Sequence, residues 1–390
     1  MTPPPPNPRD GRVDLLKGLA LAMIFLDHVE DAVGVTLFSR WTLRAFGPSD
    51  AAELFVLLTG LVVGRSYASR LVRDGFVQLQ RYATLRTLLL YAGYVATAVT
   101  LVLLIGNDPV PSESVLAMPG DAPGGVLDAI TAIVTLSRAP YLVHILVLYL
   151  PLLALSPLLV TLGRKSIPAL LALSAAIYAW TLWGQLSGRQ LSLLTECRWY
   201  FQPTAWQFLY CLGLAGGIVW ERRSRFRSGT TTVWTPGPAA AVVAALLLAA
   251  GWILRPDRPG ALNPVFQMLP RQLNNLVIIL SIKQSLGPVR LIHSLAVFTA
   301  VCSVVPSAWS LATPRWLSPL AAAGRHSLLV YATGTVLTVL AVRSAALLDY
   351  DILGVLFIEI DGLLLLASAA VLRSHISRRR RDTHPAVCTV

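Results

Sequence analysis

Charge is scarce in this chain. Only 13% of its 390 residues are Asp, Glu, Lys or Arg, about half the share of an ordinary soluble domain. So few charged groups cannot cover two or three soluble cores with a water-compatible surface. Disorder is excluded as well, because 55% of the residues are apolar or aromatic. Cysteine is nearly absent. Cys197, Cys211, Cys302 and Cys388 form no C-x-x-C pair and have no histidine close in sequence. That excludes a disulfide framework and a zinc site of ordinary spacing. There is no G-x-S-x-G elbow, P-loop, H-E-x-x-H run or metal-ligand cluster. An enzyme built on this sequence would work with histidine and carboxylates, with no metal and no permanently bound cofactor. Nor is there an internal repeat, which counts against a transporter built from inverted halves.

What is present is apolar length. A membrane-spanning helix needs about 20 apolar residues. Ten windows qualify, near 13–33, 50–69, 84–105, 141–162, 167–187, 204–221, 236–254, 289–307, 318–341 and 350–372. The expected fold is therefore an all-α, polytopic membrane protein of about ten transmembrane helices. Residues 1–11 read as a disordered, proline-rich tail, 12–373 as the membrane domain, and 374–390 as a basic tail. The stretches 108–136 and 256–285 are more polar, and each has room for a short interfacial helix. The apolar run Leu15–Leu26 could pass for a signal peptide. No small-residue cleavage motif closes it, so a retained first helix is the better reading.

The net charge of +12 fits basic cytoplasmic loops better than nucleic-acid binding. With both termini in the cytoplasm, 20 of the 32 basic residues fall inside. One loop disagrees: 255–290 lies outside yet carries Arg255, Arg258, Arg271, Lys283 and Arg290. Either this loop holds an anion, or long loops simply escape the rule. Arg378–Arg381 in the tail suit anionic lipid headgroups.

Ionisable residues inside spans are costly, so each marks a candidate site. The first span carries Arg12, Asp14 and Lys17 at its cytoplasmic start and Asp27 and His28 toward its outer end. From Arg12 to His28 a helix rises about 24 Å. The second span opens G-P-S-D-A-A-E, where Ser49 or Asp50 caps the helix. Asp50 and Glu53, three apart, share one face at the depth of His28. A histidine beside a carboxylate is the minimal general-base unit. The same groups could instead pin two helices together, or relay protons in a transporter.

Two further clusters stand out. In 196–211, Trp199, Trp206, Gln202 and Gln207 fit an aromatic platform for a sugar, with amide partners for its hydroxyls; an interfacial aromatic belt is the alternative. In G-R-H-S-L-L-V-Y (324–331), Arg325, His326 and Ser327 could hold an anion, or Arg325 could snorkel to the inner surface. His144 stands alone on an apolar run and reads as a core histidine.

Three stretches carry a family resemblance. They are R-V-D-L-L-K-G-L-A-L-A-M-I-F-L-D-H (12–28), G-P-S-D-A-A-E-L-F-V-L-L-T-G (47–60) and W-Y-F-Q-P-T-A-W-Q-F-L-Y-C-L-G (199–213). The first is similar to the opening helix of membrane acyltransferases of the acyltransferase-three type. Together, in this order, they resemble the OpgC family of succinyltransferases that modify osmoregulated periplasmic glucans. The resemblance implies a ten-helix, bacterial inner-membrane O-acyltransferase that moves succinyl from cytoplasmic succinyl-CoA to glucose hydroxyls of a linear or cyclic glucan. It places His28 as base or acyl carrier, oriented by Asp50 or Glu53, with Asp27 beside it. Asp27 stands where many members have Asn, Lys17 where Arg is commoner, and Gln202 where Asn precedes the proline.

On that reading acyl-CoA, a polyanion, meets Arg12, Lys17, Arg86, Arg325, His326 and Ser327 from the inside. The glucan meets Trp199, Gln202, Trp206 and Gln207 from outside. Arg44 or Arg198 would favour a succinyl carboxylate. Two alternatives remain: an acetyltransferase acting on another envelope polysaccharide, and a proton-coupled transporter. Oligomeric state is left open.

Overall fold

The computed structural model describes residues 10–34, 36–105, 125–187, 199–226, 236–255, 263–305 and 314–383. Among these the fold is all-α, with no strand. The first helix, α1 (Gly11–Val33), is capped by Asp10, whose carboxylate accepts from the Arg12 N–H at 2.9 Å. Next comes α2 (Ala51–Ile105). It starts from a reciprocal cap: Asp50 Oδ1 accepts from the Ala52 N–H and Glu53 Oε2 from the Asp50 N–H, both at 2.9 Å. At Gly75 the backbone swings to φ 78°, ψ 174°, a region essentially restricted to glycine. Candidate spans two and three thus meet at a one-residue corner. The basic segment between them is helical, not a loop.

The remaining helices are α3 (Gly125–Val134), α4 (His144–Lys165), α5 (Ile167–Leu186), α6 (Pro203–Phe226), α7 (Pro238–Ile253), α8 (Pro264–Gln267), α9 (Arg271–Leu280), α10 (Pro288–Val304), α11 (Ser318–Arg325), α12 (Ser327–Leu347) and α13 (Ile352–Thr383). The polar stretches do hold short helices, namely α3, α8 and α9. Candidate span nine is broken at His326 (φ −109°, ψ 38°), which separates α11 from α12. Helix α13 continues past residue 373 into the basic tail.

Not all ten candidate spans stand as membrane-length helices. By length and composition, five elements among the described residues can cross a membrane: Ala51–Ile105, Tyr141–Lys165, Ile167–Leu186, Ser327–Leu347 and Ile352–Ser377. The shortfall has physical causes. Gly75 joins two candidates into one element. Helices α7 and α10 are 16 and 17 residues long. Charges along α1 dilute its apolar run. Leu88, Leu89, Leu246, Leu364 and Leu365 stay exposed on the outer faces, as lipid-facing residues should.

Small residues set how the bundle closes. Gly60 and Gly64 on α2 face Gly213 and Gly217 on α6. A Cβ on any of the four would collide with the opposite backbone, at Tyr210, Leu214, Leu57 and Leu61 respectively. This paired small-xxx-small contact brings the two backbones together where lipid offers no hydrophobic drive for association. Gly18 and Gly324 do the same between α1 and α11. The α2–α6 seam sets the N-terminal ends of these two helices side by side.

Candidate active site

At the start of α2 the two capping carboxylates do more than cap. Asp50 Oδ2 accepts from Lys283 Nζ at 2.6 Å and from Arg290 Nη2 at 3.0 Å. Glu53 Oε1 accepts from Arg290 Nε at 2.6 Å. Two carboxylates and two cations make a neutral cluster, which is the arrangement that lets charges be buried. Burial alone would lower the pKa of Lys283, but Asp50 more than offsets this and holds the ammonium above the usual lysine range. Beside the cluster, Ser49 Oγ lies 2.7 Å from His293 Nδ1. The His293 ring fills the space that side chains on Gly47 and Gly251 would need.

Asp50 and Lys283 also reach an open pocket of about 480 Å³ at the end of α1. His28, Asp27 and Asp31 line it from α1, Arg44 from the turn Leu43–Ala45, and Tyr141, Phe201 and Tyr331 from three other elements. Asp27 Oδ1 is buried with no hydrogen-bond partner among the described residues. Arg44 is engaged: its Nη1 donates to the Asp31 carboxylate and to the Asp27 carbonyl (3.5 Å), with Glu30 at 3.9 Å. The His28 ring meets the Tyr141 ring edge-on, with centroids 6.4 Å apart.

The structure therefore gathers His28, Asp27 and Asp50, as their sequence positions suggested. It treats Glu53 differently. Glu53 is fully buried behind the pocket, spent on Arg290 and the helix cap. No hydrogen bond joins His28 to Asp50 or Glu53 among the described residues. Asp31, Tyr141, Phe201 and Tyr331 were not singled out in sequence. Lys283 and Arg290 left a signal only as basic residues of the 255–290 loop, which was expected to hold an anion or to escape the charge rule.

The aromatic mouth is also rearranged. Trp206 is completely buried, and its Nε1 donates to the carbonyls of Lys283 (3.1 Å) and Gln284 (3.2 Å). Gln207 is satisfied by Ser174 and Thr204. Trp199 donates to the Leu136 carbonyl at 3.0 Å. Trp206 presents no surface to a ligand, and the half-buried Gln207 spends its amide on Ser174 and Thr204. Gln202 stays exposed. The ring wall of the pocket is instead a chain of contacts from Tyr141 to Tyr200 (5.1 Å) and Tyr200 to Phe201 (4.9 Å). His144 Nδ1 accepts from the Tyr200 N–H at 3.2 Å, a structural role. Arg198 lies outside the described residues.

At the other end of α1, Lys17 reaches Ser327 Oγ at 3.5 Å and sits 5.1 Å from the Phe55 ring centre. Arg325 and His326 stand at the adjacent break between α11 and α12. Arg12 is buried against Asp10. Arg86 does not join them; it is exposed on the second half of α2, beside Tyr82.

A helical bundle with membrane-length apolar elements and a buried, ionisable pocket defines an integral membrane protein. Within that class, a family model described as OpgC protein matches residues 9–378, nearly the whole chain. The chain belongs to the OpgC family, and membership implies a transferase. No match appears among curated proteins or among solved structures.

Proposed function

We propose that this chain is an inner-membrane O-acyltransferase. It takes succinyl from cytoplasmic succinyl-CoA and esterifies glucose hydroxyls of an osmoregulated periplasmic glucan. The observation that carries this reading is His28, set among Asp27, Asp31, Asp50 and Lys283 in one pocket of an OpgC-family chain. His28 takes the proton of a glucan hydroxyl as that oxygen attacks the thioester carbonyl. The carbon–sulfur bond breaks, the ester bond forms, and the proton passes from His28 to the departing thiolate. In a two-step variant His28 itself carries the acyl group before the sugar oxygen takes it.

The donor's route favours the same assignment. A polyanionic CoA stays at the inner face, near Lys17, Ser327, Arg325, His326 and Arg12. From Lys17 to His28 along α1 is about 16 Å, a reach suited to the slender pantetheine arm. This requires a protein-lined passage between α1, α2 and α12. Ten membrane crossings with both termini inside complete the proposal. The sugar meets Tyr141, Tyr200 and Phe201 from outside, with the unpartnered Asp27 Oδ1 as an acceptor for a hydroxyl.

Replacing His28 with Gln, in protein shown to be folded, tests the assignment by glucan acylation measured with mass spectrometry. Full activity in that variant would sink it. Buried acid oxygens without partners, at Asp27 and Glu359, favour a proton-coupled transporter as the second reading. Thermal protection of the purified protein by succinyl-CoA separates the two, since a transporter would not respond.

A further inference from the structure

We propose that Lys283 selects the donor: its ammonium receives the distal carboxylate of a dicarboxylic acyl group. This rests on the acyltransferase reading above. Of the two cations lining the pocket, Arg44 already directs its guanidinium to Asp31 and to the Asp27 carbonyl. Lys283 has three N–H donors, and Asp50 Oδ2 accounts for one of them at 2.6 Å. Lys283 can keep that bond while its other two donors turn elsewhere, and Arg290 bonds the same oxygen. The lysine can therefore turn donors toward a ligand without stranding a buried charge.

The backbone at Lys283 is built to hold a position. Trp206 Nε1 donates to the carbonyls of Lys283 and Gln284, and the Gln202 N–H donates to the Gln284 carbonyl at 2.9 Å. Tyr178 Oη donates to the Leu286 carbonyl at 2.7 Å. A short loop tied at these points to α5 and to the start of α6 keeps the ammonium at a fixed place on the wall. Between it and His28 the wall is Tyr141 and Phe201, and the Phe201 ring centre is 5.9 Å from Lys283 Nζ. Such a surface suits the methylene arm that separates a succinyl carboxylate from its reacting carbonyl.

The test is a ratio, which is indifferent to partial loss of folded protein. Purified wild type, Lys283→Met and Lys283→Arg are each given a glucan acceptor with succinyl-CoA or acetyl-CoA. Wild type should prefer succinyl. Lys283→Met should lower the succinyl-to-acetyl ratio of kcat/KM by about tenfold or more, the usual worth of a hydrogen bond to a charged group. Lys283→Arg should keep most of the preference. An unchanged ratio in Lys283→Met, or a wild type that prefers acetyl, overturns the role of Lys283 while leaving the acyltransferase intact. A wild type that transfers neither group overturns both.

Discussion

The starts of α1 and α2 bury charge in different ways. At the start of α1 Arg12 is matched by Asp10, two residues away, and the same carboxylate caps the helix. At the start of α2 the partners come from far along the chain: Arg290 reaches Glu53 across 237 residues and His293 reaches Ser49 across 244. Local pairing secures one helix. Long-range pairing closes a bundle and frames a pocket. The start of α2 is where the fold commits stability to holding charged groups in place.

The comparison can be pressed from its strongest point downward. His28→Gln should lower glucan acylation by about 10²- to 10⁴-fold, the usual worth of a positioned base, while binding of acyl-CoA persists. Arg290→Met leaves Glu53 as a buried, unmatched charge, and should cost about 3–5 kcal/mol in thermal or denaturant unfolding. Lys17→Gln should weaken thermal protection by succinyl-CoA about tenfold, near 1.4 kcal/mol, and leave acceptor binding as it was. Arg12→Met should cost less, about 1.5 kcal/mol, because Arg290 bridges two buried carboxylates. If Arg12→Met destabilises the protein as much as Arg290→Met does, the contrast between the two helix starts is lost.

The same contrast explains what could be read from sequence. The membrane class, the all-α fold and the cap at Asp50 follow from composition and from spacings within one helix turn. Short helices in the two polar stretches follow too. The partners of Asp50 and Glu53 did not, because no local pattern says which of five basic residues in a long loop will return to a carboxylate more than two hundred positions earlier. Glu53 looked like an orienting group for His28, since only the neighbours on its own helix were visible. Trp206 and Gln207 looked like a ligand surface for a similar reason: their partners, the carbonyls of Lys283 and Gln284 and the side chain of Ser174, lie on other elements. The break at His326 was hidden inside an apolar run, and the corner at Gly75 inside a basic segment between two candidate spans. A single glycine or histidine changes hydropathy little, yet each changes the direction of the chain.

The glycine seam between α2 and α6 carries a mechanical consequence. With backbones packed this closely, neither helix can slide or rotate past the other without a collision. Asp50 at the head of α2 and Phe201 just before α6 therefore form a fixed jaw. Any motion that opens the pocket must therefore leave this pair together. A crosslink across the α2–α6 seam should then leave the proposed acyl transfer intact.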